Sequence, residues 1–126
     1  MSFSTDLNYV MTNDSSLLSY CDGGILYENL PENFEITKDW IVYSFNKVSQ
    51  KDCLFSKSAY TEYNIFVEIV STDTYKVEVI NDYIVKYLNN TTYNGIHDIS
   101  FIGDSHASDL DRNLYINTLN FNALYL

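Results

Sequence analysis

From Thr61 to Val70 the chain alternates with a period of two. Tyr63, Ile65, Val67 and Ile69 fall on one side, and Glu62, Asn64 and Glu68 on the other. Successive side chains of a β-strand point to opposite faces, so the pattern commits this segment to a strand with one buried and one wet face. Phe66 is the exception on the wet side. The buried face requires an apolar layer against it, and the remaining segments must supply that layer.

Two helical stripes do so. Phe3, Leu7, Val10 and Met11 recur at i, i+4, i+7 and i+8, and Ser4 or Thr5 is placed to cap the helix they imply. Asn13-Asp14-Ser15-Ser16 interrupts it, and Leu17 to Tyr20 reads as one further turn. Gly23-Gly24 then releases a short strand, Ile25-Leu26-Tyr27, and Leu30-Pro31-Glu32-Asn33 is a turn. Trp40 to Val48, rich in aromatic and β-branched residues, reads as a strand, and the polar run Gln50 to Ser58 as a long hairpin loop. Thr72-Asp73-Thr74 offers N-caps for the second stripe, Val77, Ile80, Ile84, Tyr87 and Leu88, with Asp82 and Lys86 at i, i+4 on its far side. Asn89-Asn90 and Asn94-Gly95 close that helix and turn the chain. Two strands follow, near Ile96 to Ile102 and Leu114 to Tyr125, with Gly103 to Asp111 as a polar loop between them. The order predicts a single α+β domain over residues 1–126. It is an antiparallel or mixed sheet of about four to five strands with two helices packed on one face.

Composition narrows the function classes. A chain of 126 residues with 46% hydrophobic content is one domain and is not intrinsically disordered. Its formal charge is −10, from 17 acidic against 7 basic side chains, and Arg112 is the single arginine. That is the wrong sign for a protein that gains affinity by neutralising phosphates, and equally for an anionic membrane surface. An acidic protein suits a site beside DNA only if its task is to keep DNA from adhering. Cys21 and Cys53 lie far apart with no metal-ligand spacing, which reads as two buried thiols in a reducing compartment. The N-terminus shows no signal peptide and no apolar run reaches ~20 residues, so synthesis in the cytoplasm is expected. The sequons at Asn13 and Asn90 then have no glycosylation to report.

Candidate chemistry is sparse. Gly103-Asp104-Ser105-His106 matches the block that opens one family of serine esterases. Such an enzyme also needs a downstream histidine to act as base, and none follows His106. A turn built from Gly, Asp and Ser is the expectation. Asp109, Asp111 and Asn113 stand at the first three ligand positions of a calcium loop, but Leu114 and Asn120 replace its required Gly and Glu. His97, Asp98, Asp104 and His106 have no known metal-ligand spacing. No catalytic, cofactor-binding or metal-ligating residue is assigned. The 12 tyrosines exceed what one core of this size should hold. Protein–protein interfaces are enriched in such residues, and AT-rich coding is the competing explanation.

Taken in order, the segments resemble a known family. An N-terminal helix is followed by Leu17-Leu18-Ser19-Tyr20-Cys21-Asp22-Gly23-Gly24-Ile25-Leu26-Tyr27 and then Pro31. A strand at Trp40 to Phe45, a polar loop, a strand at Tyr63 to Val70, a helix from Tyr75 to Leu88 and aromatic terminal strands complete the series. This succession resembles the tail-terminator, or tail-completion, proteins of bacteriophages. Lys38-Asp39 stands where those proteins often carry prolines. The resemblance implies a structural virion protein without active site or cofactor. It would form a ring, usually of six subunits, that caps the tail tube and joins it to the neck and head. Its partners would be further copies of itself, tail-tube proteins and neck or head-completion proteins. DNA would pass through the channel without specific binding, and six copies of a −10 chain would repel it. Under this reading the interface candidates are Lys47, Lys51, Asp52, Lys57, Tyr60, Phe66, Tyr115 and Tyr125, on sheet edges and the Gln50–Ser58 loop. The alternatives are a small acidic protein that engages or inhibits a basic partner, and a GDS-type hydrolase acting through Ser105.

Overall fold

The computed structural model describes residues 2–52 and 59–126. Helices α1 (Phe3–Thr12) and α2 (Ser15–Tyr20) lead into strands β1 (Gly24–Tyr27), β2 (Trp40–Asp52) and β3 (Ala59–Ser71). Helix α3 (Thr74–Leu88) and strands β4 (Ile96–Asp109) and β5 (Leu114–Tyr125) follow. The five strands form one mixed sheet in the order β1-β2-β3-β5-β4. Only β1 and β2 run parallel; the other three neighbouring pairs are antiparallel. The α+β expectation holds. The break at Asn13-Asp14 gives the helical layer a third member, because Asp14 caps α2 by accepting from Leu17 N at 3.0 Å.

The alternation read from Thr61 positions the core. Ile65, Val67 and Ile69 are fully buried, as are Ile41, Leu119, Phe121 and Ala123 on the same face of neighbouring strands. Phe3, Leu7, Val10 and Met11 of α1, Leu17 of α2, and Val77, Ile80, Ile84 and Leu88 of α3 close over them. Burying each such side chain contributes on the order of 1.5–3 kcal/mol before the entropy of ordering it is subtracted.

Three local expectations change. Ser2, not Ser4 or Thr5, caps α1: Phe3 must already be helical to reach the core, so the residue before it accepts from Thr5 N at 3.2 Å. Strand β2 continues through Gln50, Lys51 and Asp52, which the polar run assigns to a loop; their backbones pair with Thr61, Tyr60 and Ala59. A ladder needs only N–H and C=O groups, so polar side chains do not end it. The remainder of that expected loop, residues 53–58, lies outside the described residues. Finally, Gly103 to Asp109 is strand rather than loop, because it pairs residue by residue with Asn120 to Leu114 of β5.

The tyrosines are also redistributed. Tyr43 is buried, and Tyr63, Tyr83, Tyr87, Tyr93, Tyr115 and Tyr125 pack half-buried against the core. Their hydroxyls stop at its margin, where Tyr43 donates to Asn8 Oδ1 at 2.9 Å and Tyr87 to the Val10 carbonyl at 2.8 Å. Phe3 stacks on Tyr63 with ring centroids 3.9 Å apart. More tyrosines than expected therefore serve the chain's own fold, ring inward and hydroxyl outward.

The other face of the sheet carries no helix among the described residues. At one end of it Val42, Val70 and Leu114 are buried, beside Trp40, whose indole N–H donates to the Glu35 carbonyl. Phe34 meets Trp40 edge-on, and the Arg112 guanidinium lies over the Phe34 ring at 5.4 Å. Elsewhere this face is polar, with Asn64, Thr118, Asn120 and Asn122 around a half-buried Phe66. No helix among the described residues is long and apolar enough to cross a membrane.

Candidate functional site

Ser105 and His106 are consecutive residues of an extended strand, so their side chains leave opposite faces of the sheet. The Ser105 hydroxyl and the imidazole that should activate it are thereby separated. His106 Nε2 lies 3.4 Å from Asp104 Oδ2 instead, and both side chains are solvent-exposed. A nucleophile–base pair is not built here.

The two metal-like patterns resolve as local structure. Asp109 accepts from Arg112 Nε at 2.7 Å and from Arg112 N at 3.3 Å, so its carboxylate is spent on the β4–β5 hairpin. The Arg112 hydrogen bond holds the Asp109 carboxyl below the usual carboxylate range. His97 stands opposite Leu124 and His106 opposite Asn117, seven residues apart along β5. At ~3.4 Å per residue that is roughly 24 Å, far beyond a shared ligand sphere. Among the described residues no cluster of three His, Cys, Asp or Glu side chains could hold a metal ion.

The structure does assemble two buried polar clusters that the linear pattern did not announce. Asp39, 6% exposed, accepts from Ser71 Oγ at 2.5 Å and lies 3.4 Å from Lys76 Nζ. Asp22 Oδ1 accepts from Asp39 N at 2.7 Å. These side chains tie the α2–β1 connection, the start of β2, the end of β3 and the first turn of α3 together. Beside them a recess of about 330 Å³ is lined by Tyr20, Asp22, Asp39, Tyr75, Lys76 and Ile80, among others. Burial first, and then Asp22 and Asp39, push the nearby Cys21 thiol up to about 11. Cys21 is therefore a protonated thiol, buried and donating to the Leu17 carbonyl, not a nucleophile. Cys53 lies outside the described residues. In the second cluster Asp6, 1% exposed, accepts from Tyr125 Oη at 2.8 Å and from Asn94 Nδ2 at 3.2 Å. Its partners are 88 and 119 positions away, so only the folded chain reveals it. Ser71 is fully buried and Asp6 nearly so, and both clusters join elements distant in sequence.

The interface candidates scatter over the sheet. Lys47 is exposed on β2 at a bulge in its pairing with β3. Lys51 and Asp52 occupy the last two positions of β2, and Tyr60 is half-buried opposite Lys51. Lys57 lies outside the described residues. Phe66 is half-buried on the helix-free face. Tyr115 and Tyr125 sit at the rim of the core, and Tyr125 is held by Asp6. The candidates omit the long edge strand β4, because the polar pattern of its second half reads as a loop.

Neither family models nor curated protein sequences match the chain. Among solved structures it is similar to a chain described as the virion of a native gene transfer agent (GTA) particle. The TM-score is 0.75 at 8% identity, and the match covers 98% of this chain and 94% of that one. The two share a fold over nearly their whole length.

Proposed function

We propose that this chain is a structural protein of a phage-type virion, a ring-forming tail terminator or neck subunit that caps the tail tube and joins it to the head. The observation that carries the reading is the full-length fold match to a chain of a gene transfer agent virion. It agrees in kind with the tail-terminator resemblance of the segment order, reached from different information. Three further features support it. The Asp6 and Asp39 clusters brace elements of the fold against one another. The net charge of −10 suits a surface that DNA passes without adhering. Among the described residues no further strand pairs with either lateral edge of the sheet. In this role the protein resides in the virion, after assembly in the host cytoplasm.

Size-exclusion chromatography with light scattering, from micromolar to millimolar, tests the reading. A closed oligomer is expected, at a six-fold multiple of the 14.6 kDa chain if the ring is hexameric. A strict monomer that also fails to bind the ends of isolated tail tubes would refute it.

A further inference from the structure

We propose that the groove between α3 and the second half of β4 takes a helix of a partner protein, apolar along one side and flanked there by lysine or arginine. The proposal goes beyond the ring reading and stands without it. Residues directly opposite one another in a ladder share a face of the sheet. Phe101, Asp104, His106 and Ser108 stand opposite Phe121, Leu119, Asn117 and Tyr115, so they lie on the face that carries the helices. Phe121, Leu119 and Asn117 are buried beneath that layer, whereas the four β4 side chains are exposed. The first half of β4 is covered, with Ile96 and Ile99 fully buried. Among the described residues, the helical layer therefore stops short of the second half of this last strand.

Two recesses, of about 440 and 520 Å³, follow one another along this gap. Thr74, Val77 and Glu78 of α3 line the first together with His106. Asn81, Asp82, Val85 and Lys86 line the second with Phe101 and Asp104. These α3 positions recur at three- and four-residue steps, so they form one stripe along the helix. At ~1.5 Å per residue the stripe from Thr74 to Lys86 runs roughly 18 Å, more than three helical turns. A helix laid there rests on β4, packs beside α3 and completes the layer. Its apolar side meets Phe101, 38% exposed, half-buried Val85, and Ala107 and Ile116 of the first recess.

Charge selects the occupant. The walls carry Glu78, Asp82 and Asp104 against Lys86, with His106 3.4 Å from Asp104. The groove is net acidic even with His106 protonated. Asp109, further along β4, is already met by Arg112 and adds little. Lysines or arginines on the incoming helix complement this balance. No helix of this chain supplies them: α1 and α2 contain no basic residue, and α3 offsets Lys76 and Lys86 with Glu78 and Asp82. The occupant is therefore a different protein and not a further copy. In a virion it is a neighbour of the ring.

Fluorescence anisotropy with the full chain and two synthetic helices tests this. One helix has leucines at i, i+3, i+4 and i+7 with lysines between them, and the other has glutamate in place of each lysine. At physiological salt the lysine helix is expected to bind, and the glutamate helix roughly tenfold more weakly or worse. E78K, in the groove, should weaken the lysine helix by about tenfold, and so should F101S, which leaves the charge unchanged. E68K makes the same charge change at an exposed position on the helix-free face and should alter binding less than about twofold. Circular dichroism and thermal melts confirm that each variant is folded. The proposal is overturned if the lysine helix does not bind, or if the glutamate helix binds equally well. It is also overturned if folded F101S binds like wild type, or if E68K weakens binding as much as E78K, which marks adhesion to an acidic surface at large. None of these outcomes alters the oligomeric state on which the ring reading is judged.

Discussion

At the residue scale, the polar atoms taken from water are the most informative. Asp39 is kept buried by the Ser71 hydroxyl and the Asp22–backbone bond, with Lys76 supplying charge from a half-exposed position. Asp39→Ala leaves Ser71 without its acceptor and should cost about 1–3 kcal/mol. Lys76→Ala removes an ion pair that water already screens and should cost less than about 1 kcal/mol. Urea denaturation of the two variants separates these outcomes. Alkaline pH provides a second check. Burial raises Tyr43, Tyr87 and Cys21, the thiol from 9.0 to about 11. A raised folded value means the stabilisation is complete below the unfolded pKa and is lost as pH rises through the folded one. Melting temperature should therefore hold up to about pH 9 and then fall as the unfolded thiol and phenols ionise first. A flat profile to pH 11 would contradict the burial of these groups. Peptide mapping after iodoacetamide treatment at pH 8 should find Cys21 protected in the native chain and labelled in urea.

At the element scale, caps and close approaches set where helices and turns lie. Asp73 caps α3 by accepting from Tyr75 N at 2.9 Å, and Asp73→Ala should cost about 0.5–2 kcal/mol, read from the denaturation midpoint. Ile84 lies at the centre of the same helix and is fully buried, so Ile84→Ala should cost about 2–5 kcal/mol. Gly95 turns the chain into β4, and a methyl group there would sit 2.7 Å from both the Leu126 carbonyl oxygen and the Tyr125 ring. Gly95→Ala should therefore destabilise by about 1–3 kcal/mol, through displacement of the C-terminal strand rather than through backbone conformation. The helices and β3 were legible because their apolar periods are long and regular. The ends of β2 and β4 were not. Both finish in polar residues whose strand character comes from ladder bonds to a neighbour, and hydropathy carries no record of those bonds.

At the scale of the whole molecule, the sheet has, among the described residues, one face covered by helices, one face without a helix and two edges without a further strand. A −10 charge over one domain discourages adhesion to DNA, and duplex DNA at physiological salt should show no mobility shift with this protein. The fold is shared with a virion chain at only 8% identity, so what the two retain is the arrangement of elements and not particular side chains. That also explains why no single motif carried the candidate function.

The sequence by itself determined the class and most of the layers: two strong helical stripes and a period-two strand dictate helices on one face of a sheet. It also argued against catalysis at Ser105, because no histidine follows His106 to serve as base. Tertiary structure alone decided three things. Many of the tyrosines belong at the core margin, because a ring can be buried while its hydroxyl still reaches Asn8, Val10 or Asp6. Asp6 and Asp39 belong inside, because partners up to 119 positions away satisfy them. And β4 is an open edge, since strand order follows from which backbones meet in space, a property no local pattern encodes.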